Sequence, residues 1–257
     1  MLLIGIDLAW GEHKSDGLCF LRYRRGTKEA WVDGYAYPQG DDAAFETIAE
    51  IMPQAGPTLL LIDAPIVCPN LSGCRPVDRL ISRLFYREHA GCHSANLAKC
   101  SRPARLLARL VSLGFSAGWD LSAGRLGGRE PLRLATEVYP HPAMVRLLCL
   151  PRIVKYKKGR VAQRSVEFKR LQDLLGVLLA REFPFLSLDD ATRVLLTATW
   201  SKPVEDQLDA FFCALIGLWL AYALQGSSQR NLGRSRDRIH PLAPRPLSRR
   251  RPPRFLT

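Results

Sequence analysis

Five carboxylates stand out by where they fall in the chain. Asp7 closes the apolar run Leu2 to Ile6, Asp63 closes Thr58 to Ile62, and Glu137 ends the strand-like stretch that begins at Leu132. Asp206 and Asp209 stand three apart, just before the apolar segment Ala210 to Leu224. A run of Leu and Ile of strand length suits a strand covered on both faces, where a carboxylate is costly unless it lies at the strand's end with a partner. Each acid has a bland alternative. A strand-terminal Asp can cap a turn, an Asp in a first helical turn suits the helix dipole, and Glu137 can pair with an Arg such as Arg75. Taken together, acids converging from separate elements would repel one another unless divalent cations lay between them. Hard oxygen donors select Mg2+ or Mn2+. Two such ions about 4 Å apart can activate a water and stabilise the leaving oxygen of a phosphodiester, the chemistry such a cluster serves best. No Ser or Cys nucleophile with a nearby partner stands out.

The elements that must position these acids can be read in order. After the first strand, residues 17 to 24 and 30 to 37 read as two more strands, joined by Arg25-Gly26-Thr27-Lys28, so the first three form an antiparallel meander. Asp41 and Asp42 open a helix through Met52. The strand ending at Asp63 follows this helical crossover, which makes it a parallel neighbour of the first and brings Asp7 and Asp63 to one edge of the sheet, where α/β proteins place their ligands. Helices are expected from Gly73 to about Glu88, over 103 to 113, from Pro142 to Leu150, from Ser165 to about Glu182, from Leu188 to Trp200 and from about Pro203 to Leu224. Between them, Gly114 to Glu130 is loose and rich in Gly, and residues 132 to 138 form the fifth strand. His89, Cys92, His93 and Cys100 invite a zinc reading, but their spacing matches no paired-ligand signature.

A polyanionic substrate would be repelled by an acidic site unless cations lined its approach, which makes Arg75, Lys155 and Lys157 candidate substrate-binding residues. The basic loop Lys155 to Arg160 is otherwise a solvated turn. The formal charge is +13, of which Gln229 to Thr257, with nine Arg and one Asp, carries +8; the body holds the remaining +5. That terminal stretch, rich in Arg, Pro and Ser, is expected to be a disordered basic arm. Seven cysteines form no even framework and no signal peptide opens the chain, which points to a reducing cytoplasm. The 15 apolar residues from Ala210 to Leu224 fall short of a bilayer's roughly 20, and a buried helix is expected there.

Three antiparallel strands, helix, strand, helix, strand and helices is an order that resembles the ribonuclease H-like fold. Its Holliday junction resolvase type has acids on the first strand, at the end of the fourth, and three apart on the last helix; Asp7, Asp63, Asp206 and Asp209 occupy those places, with Asp63 where that type usually has Glu. More narrowly, GIDLAW at 5 to 10, IDAP at 62 to 65, G-x-R-x-x-D at 73 to 78, EVYPH at 137 to 141 and LDA at 208 to 210 resemble the family called domain of unknown function 429, whose members are regarded as predicted nucleases. The resemblance covers residues 1 to about 225. It implies a five-stranded mixed sheet flanked by helices over 1 to 228, with a helical insertion at about 88 to 130. It also implies a nuclease using Mg2+ or Mn2+ on DNA or RNA, with Asp7, Asp63, Glu137 and Asp209 catalytic and Asp7, Asp63, Asp206 and Asp209 on the metal. A non-catalytic nucleic-acid-binding or assembly module is the alternative. Nucleotide-dependent phosphoryl transfer, which the same fold also hosts, is disfavoured, since Leu8, Ala9 and Trp10 stand where a phosphate cradle needs Gly, Ser or Thr.

Overall fold

The computed structural model describes residues 1–11, 13–118, 120 and 131–230, with side chains to residue 223. Its strands are β1 (Leu2–Asp7), β2 (Gly17–Arg24), β3 (Glu29–Ala36), β4 (Thr58–Ile62), β5 (Ser116–Ala117), β6 (Arg133–Glu137) and β7 (Leu186–Ser187). The helices are α1 (Gly40–Ile51), α2 (Pro76–Leu84), α3 (Ser101–Leu110), α4 (Pro140–Leu147), α5 (Val161–Glu182), α6 (Asp190–Leu195) and α7 (Lys202–Arg230). One mixed sheet runs β5-β6-β4-β1-β2-β3-β7. The β1–β2 and β2–β3 pairs are antiparallel, and β1–β4 and β4–β6 are parallel.

The sheet has seven strands rather than five. Both additions, β5 and β7, are two-residue edge strands paired in parallel with β6 and β3, and two residues are too few to carry the alternation by which a strand is read. Helix ends differ by a few residues. Helix α2 stops at Leu84, short of Glu88, and α4 begins at Pro140, whose missing N–H and fixed φ suit a first turn. Helix α6 is only six residues long, with the Asp189 side chain accepting a hydrogen bond from the Thr192 amide at its start. Helix α7 runs on to Arg230; the remainder of the expected basic arm lies outside the described residues, as do residues 121–130 of the expected insertion. Among the described residues no helix is long and apolar enough to cross a membrane, and all seven cysteines are free thiols.

Helices cover both faces of the sheet, so the central strands are buried on both sides and read as unbroken apolar runs. Alternation sorts their side chains. Leu2, Ile4, Ile6, Leu60 and Ile62 pack toward α1 and α3, meeting Ile48, Leu106 and Leu110. Leu3, Cys19, Leu21, Leu59 and Leu61 face the opposite layer, against Phe168 and Leu175 of α5 and Leu208, Phe211 and Leu215 of α7. Part of the expected insertion thus belongs to the core, since Leu106, Leu110 and Phe115 complete the first of these layers.

Two glycines let α7 lie directly on the sheet. A Cβ on Gly5 would stand 2.0 Å from the Ala210 carbonyl oxygen, and one on Gly17 would stand 2.2 Å from that of Asp206. Gly5 pairs with Cys19 and Gly17 pairs with Asp7, so both belong to the face on which Asp7 lies. The helix carrying Asp206 and Asp209 is thereby pressed against the strand end that carries Asp7.

Candidate active site

The β1–β4 register pairs Ile6 with Ile62, and the Asp63 amide donates to the Ile6 carbonyl at 2.9 Å. Asp7 and Asp63 are therefore successive strand-end residues of one parallel pair, and their side chains leave on the same face, toward α7. Glu137 is in register with Ile62, one residue earlier than Asp63, so its side chain leaves on the other face. That parity separates Glu137 from the Asp7–Asp63 pair and explains its partner. Arg75 donates to both of its oxygens, Nη1 to Oε2 at 2.8 Å and Nη2 to Oε1 at 2.6 Å.

Arg75 is fully committed. Its Nε and Nη2 also bond Asp78, and Nη1 donates to the Val67 carbonyl, so all five N–H groups have acceptors within the chain. Arg75 and Asp78 are buried, at 7% and 2% exposure. The Asp78 carboxyl stays below its ordinary value: burial would raise it, but Arg75 and the backbone amides of Ala95 and Arg75 outweigh that. The pair that sequence reading assigned in part to substrate binding instead ties α2 to the end of β6.

Asp206 and Asp209 emerge one turn apart and meet different partners. Asp206 accepts from Tyr37 Oη at 2.8 Å and from Lys202 Nζ at 2.5 Å. Asp209 is 1% exposed. Its Oδ1 accepts from Tyr156 Oη at 2.6 Å, while its Oδ2 lies 2.8 Å from Lys157 Nζ. That last contact is a short ion pair, which sets the ammonium directly against Oδ2. Lys157 Nζ also stands 3.8 Å from Asp7 Oδ1.

Asp7, Asp63, Asp206, Glu137, Arg75 and Lys157 line one cleft of about 650 Å³, and Asp209 lies beneath it. Lys14, Lys158, Lys202 and His141 also face this space, and Trp10, half-exposed, stands in its wall. Lys155 is not brought here. It lines an adjoining cleft of about 720 Å³ with Arg152, Gln163, Glu167 and Arg170, and Lys158 borders both spaces.

Burial dominates the electrostatics. It pushes the Asp7 carboxyl well up, with Asp209, Asp63 and Asp206 adding repulsion and Lys157 opposing. Asp63 is pushed up to about 6 by burial, with Asp209 and Glu137 adding to it against Lys157. Asp209 is raised by burial despite Lys157 and Tyr156. For Lys157, burial works against the ammonium, but Asp209, Tyr156, Asp7 and Asp63 hold its pKa well above the usual lysine range. His141 is pushed down to about 4, by burial first and then by Lys157, His93 and Lys158, which keeps its imidazole neutral near pH 7.

Among the described residues no three His, Cys, Asp or Glu side chains are grouped so that they could hold a metal ion. The oxygen donors nevertheless suit Mg2+ or Mn2+, which are commonly held by one or two carboxylates with waters and substrate oxygens completing the shell. Asp7 and Asp63 provide that pair: among the described residues, neither carboxylate accepts a hydrogen bond. Asp206 and Asp209 are turned to Lys202 and Lys157. The residues therefore fit an ion at Asp7 and Asp63, and do not fit a cage of four carboxylates.

Several residues here carried no sequence signal as site members. Tyr156 looked like part of a basic loop, and Tyr37 like the end of a strand. Asp16 and Arg102, both fully buried, clamp the segment after β1: the Ala9 amide donates to Asp16 Oδ1 at 2.8 Å, and Arg102 bonds Asp16, Asp41 and the Ala9 carbonyl. Partners separated by 86 positions are invisible to local pattern.

The strand arrangement and its helical layers define a mixed α/β fold, a seven-stranded sheet covered by helices, with strand-end acids opening onto one cleft. The chain belongs to the family described as "Protein of unknown function (DUF429)", whose model matches residues 5–235. No curated protein matches the sequence. Among solved structures, the yeast mitochondrial Holliday junction resolvase Ydc2 is similar, with 12% sequence identity, coverage of 90% of this chain and 83% of that one, and a TM-score of 0.43.

Proposed function

We propose that the protein is a divalent-metal-dependent phosphodiester hydrolase acting on nucleic acid, with Asp7 and Asp63 as its metal ligands. One observation carries this reading. Two in-register carboxylates at the end of a parallel strand pair are destabilised by burial and lack hydrogen-bond donors, in a cleft whose lining also includes Lys14, Lys157, Lys158 and Lys202. Buried charges left in that state ordinarily have a partner in the working protein. Mg2+ or Mn2+ held there would supply Lewis-acid polarisation of a phosphodiester.

The chain's own residues do the rest. Asp209 is held by Tyr156 and fixes the Lys157 ammonium beside Asp7. Lys14, Lys158 and Lys202 offset the carboxylates as a polyanion approaches, and Lys158 leads into the second cleft, where Arg152, Lys155 and Arg170 can continue contact with a phosphate backbone. Glu137 acts through Arg75, anchoring α2 and the chain after β4 rather than touching substrate.

The test is incubation of the wild-type protein, Asp7→Asn and Asp63→Asn with labelled single-stranded, duplex and branched nucleic acids in Mg2+ and in Mn2+. Cleavage of at least one substrate is expected, falling at least a hundredfold in either variant. Cleavage untouched by Asp7→Asn, or none with any substrate, would overturn the reading. A second reading, a nucleic-acid-binding module without catalysis, is favoured by the pairing of Glu137, Asp206 and Asp209 within the chain. It would be seen as salt-sensitive binding, with no cleavage in either ion.

A further inference from the structure

The contact that sets this site apart from a set of empty ligands is the ammonium already inside it. Lys157 Nζ lies 2.8 Å from Asp209 Oδ2 and 3.8 Å from Asp7 Oδ1, between the helix acid and the strand-end acid. Asp209 Oδ2 is buried, and the ammonium is its near neighbour. Two cations placed among Asp7, Asp63 and Asp209 would need this same space. We propose that Lys157 is a resident cation that takes the place of one of two divalent ions, so that the site binds a single Mg2+ or Mn2+ at Asp7 and Asp63. This rests on the metal-dependent reading above and narrows it.

Three further observations support the assignment. Lys157 does not hang loosely into the cleft, because its neighbour Tyr156 is 1% exposed and Tyr156 Oη donates to the other oxygen of the same Asp209. Val154, three positions earlier, is also buried, so the backbone leading to Lys157 is packed into the protein. The side chain runs along the Tyr156 ring, with Nζ 5.8 Å from its centroid, and the Tyr156 ring is itself 6.2 Å from Phe168 of α5. Withdrawing the ammonium would therefore leave Asp209 Oδ2 buried beside no cation.

Charge balance points the same way. Three ionised carboxylates and one ammonium leave two negative charges, which one divalent ion neutralises; a second ion would bring the cluster to +2 with the ammonium in place, against +1 without it. Asp206 is counted apart from this cluster because it faces another cation: Lys202 lies 2.5 Å from it and 2.9 Å from Glu205.

The experiment is calorimetric titration of the full chain with MnCl2 at pH 8, after removal of metals by chelation, on wild type, Lys157→Met and Lys157→Arg. Methionine keeps an apolar stem over Tyr156 without the charge, and arginine keeps the charge. One Mn2+ per chain is expected for wild type and for Lys157→Arg, and two for Lys157→Met. Two ions in wild type overturn the inference while leaving the metal-dependent reading intact, and this measurement needs no variant to fold. A single ion of unchanged affinity in a Lys157→Met protein that keeps its circular dichroism also overturns it. No ion in any of the three would overturn this inference and the metal-dependent reading together.

Discussion

Substituting Asp63 by Asn should make the metal-free protein more stable at pH 8. In the folded chain the Asp63 carboxyl is pushed from its ordinary 3.8 up to about 6, chiefly by burial. A group whose folded pKa is raised contributes stability that is fully present below the unfolded value and is lost as pH rises through the folded one. Relative to acid, stability should therefore decline between about pH 4 and pH 6 and stay depressed above. At about 1.4 kcal/mol per pH unit, the interval from 3.8 to about 6 corresponds to roughly 3 kcal/mol. Asp63→Asn keeps the shape and removes the charge. Urea unfolding in chelator should place it above wild type by up to roughly 3 kcal/mol at pH 8, with the gap closing toward pH 4. Saturating Mn2+ should then raise the wild-type midpoint and leave that of the variant unmoved, since binding only to the folded state stabilises it. A variant no more stable than wild type at pH 8 would refute the reasoning. It would mean that the ionised carboxylate is already compensated by the surrounding chain and is not waiting for a cation.

Three other expectations follow from specific contacts. Gly5→Ala places a Cβ against the backbone of Ala210 and Ala214, at 2.0 and 2.5 Å, so α7 must shift; a loss at or above the upper end of the ~1–3 kcal/mol typical of overpacking should appear in urea midpoints, with Mn2+ affinity reduced as Asp209 moves. Arg75→Ala strands the buried Asp78 and should cost about 3–5 kcal/mol, the usual consequence of removing one partner of a buried pair. A near-neutral result there would show that Asp78 is held by the amides of Ala95 and Arg75 alone. Lys155→Ala combined with Arg170→Ala should leave Mn2+ binding unchanged and make the salt dependence of nucleic-acid binding shallower, by a log–log slope of up to about 2; superimposable curves across a salt series would confine the substrate to the first cleft.

Much of the fold was legible because its causes are local. The apolar runs ending in Asp7 and Asp63, the short Gly-containing connection between β2 and β3, and the helical crossover before β4 together require parallel strands with their acids at one edge. Asp209 could be placed against the core for a similar reason, since it abuts an unbroken apolar run. The two-residue strands β5 and β7 could not be read, because nothing in two residues repeats.

What only the tertiary structure decided is which acid meets which partner. Glu137 resembles Asp63 in sequence, as an acid ending an apolar strand, yet a one-residue difference in register sends it to the other face of the sheet and onto Arg75. Lys155 and Lys157 are two apart in one loop, yet Lys157 reaches the carboxylates and Lys155 faces a different cleft. The close seating of α7 depends on Gly5 and Gly17 lying under a helix some 200 positions later in the chain. Side-chain type and period set which residues can end a strand or line a face. Pairing across the sheet, and the packing of a distant helix on it, set which charges come within a few ångströms of each other, and that distance governs whether a carboxylate is neutralised by the chain.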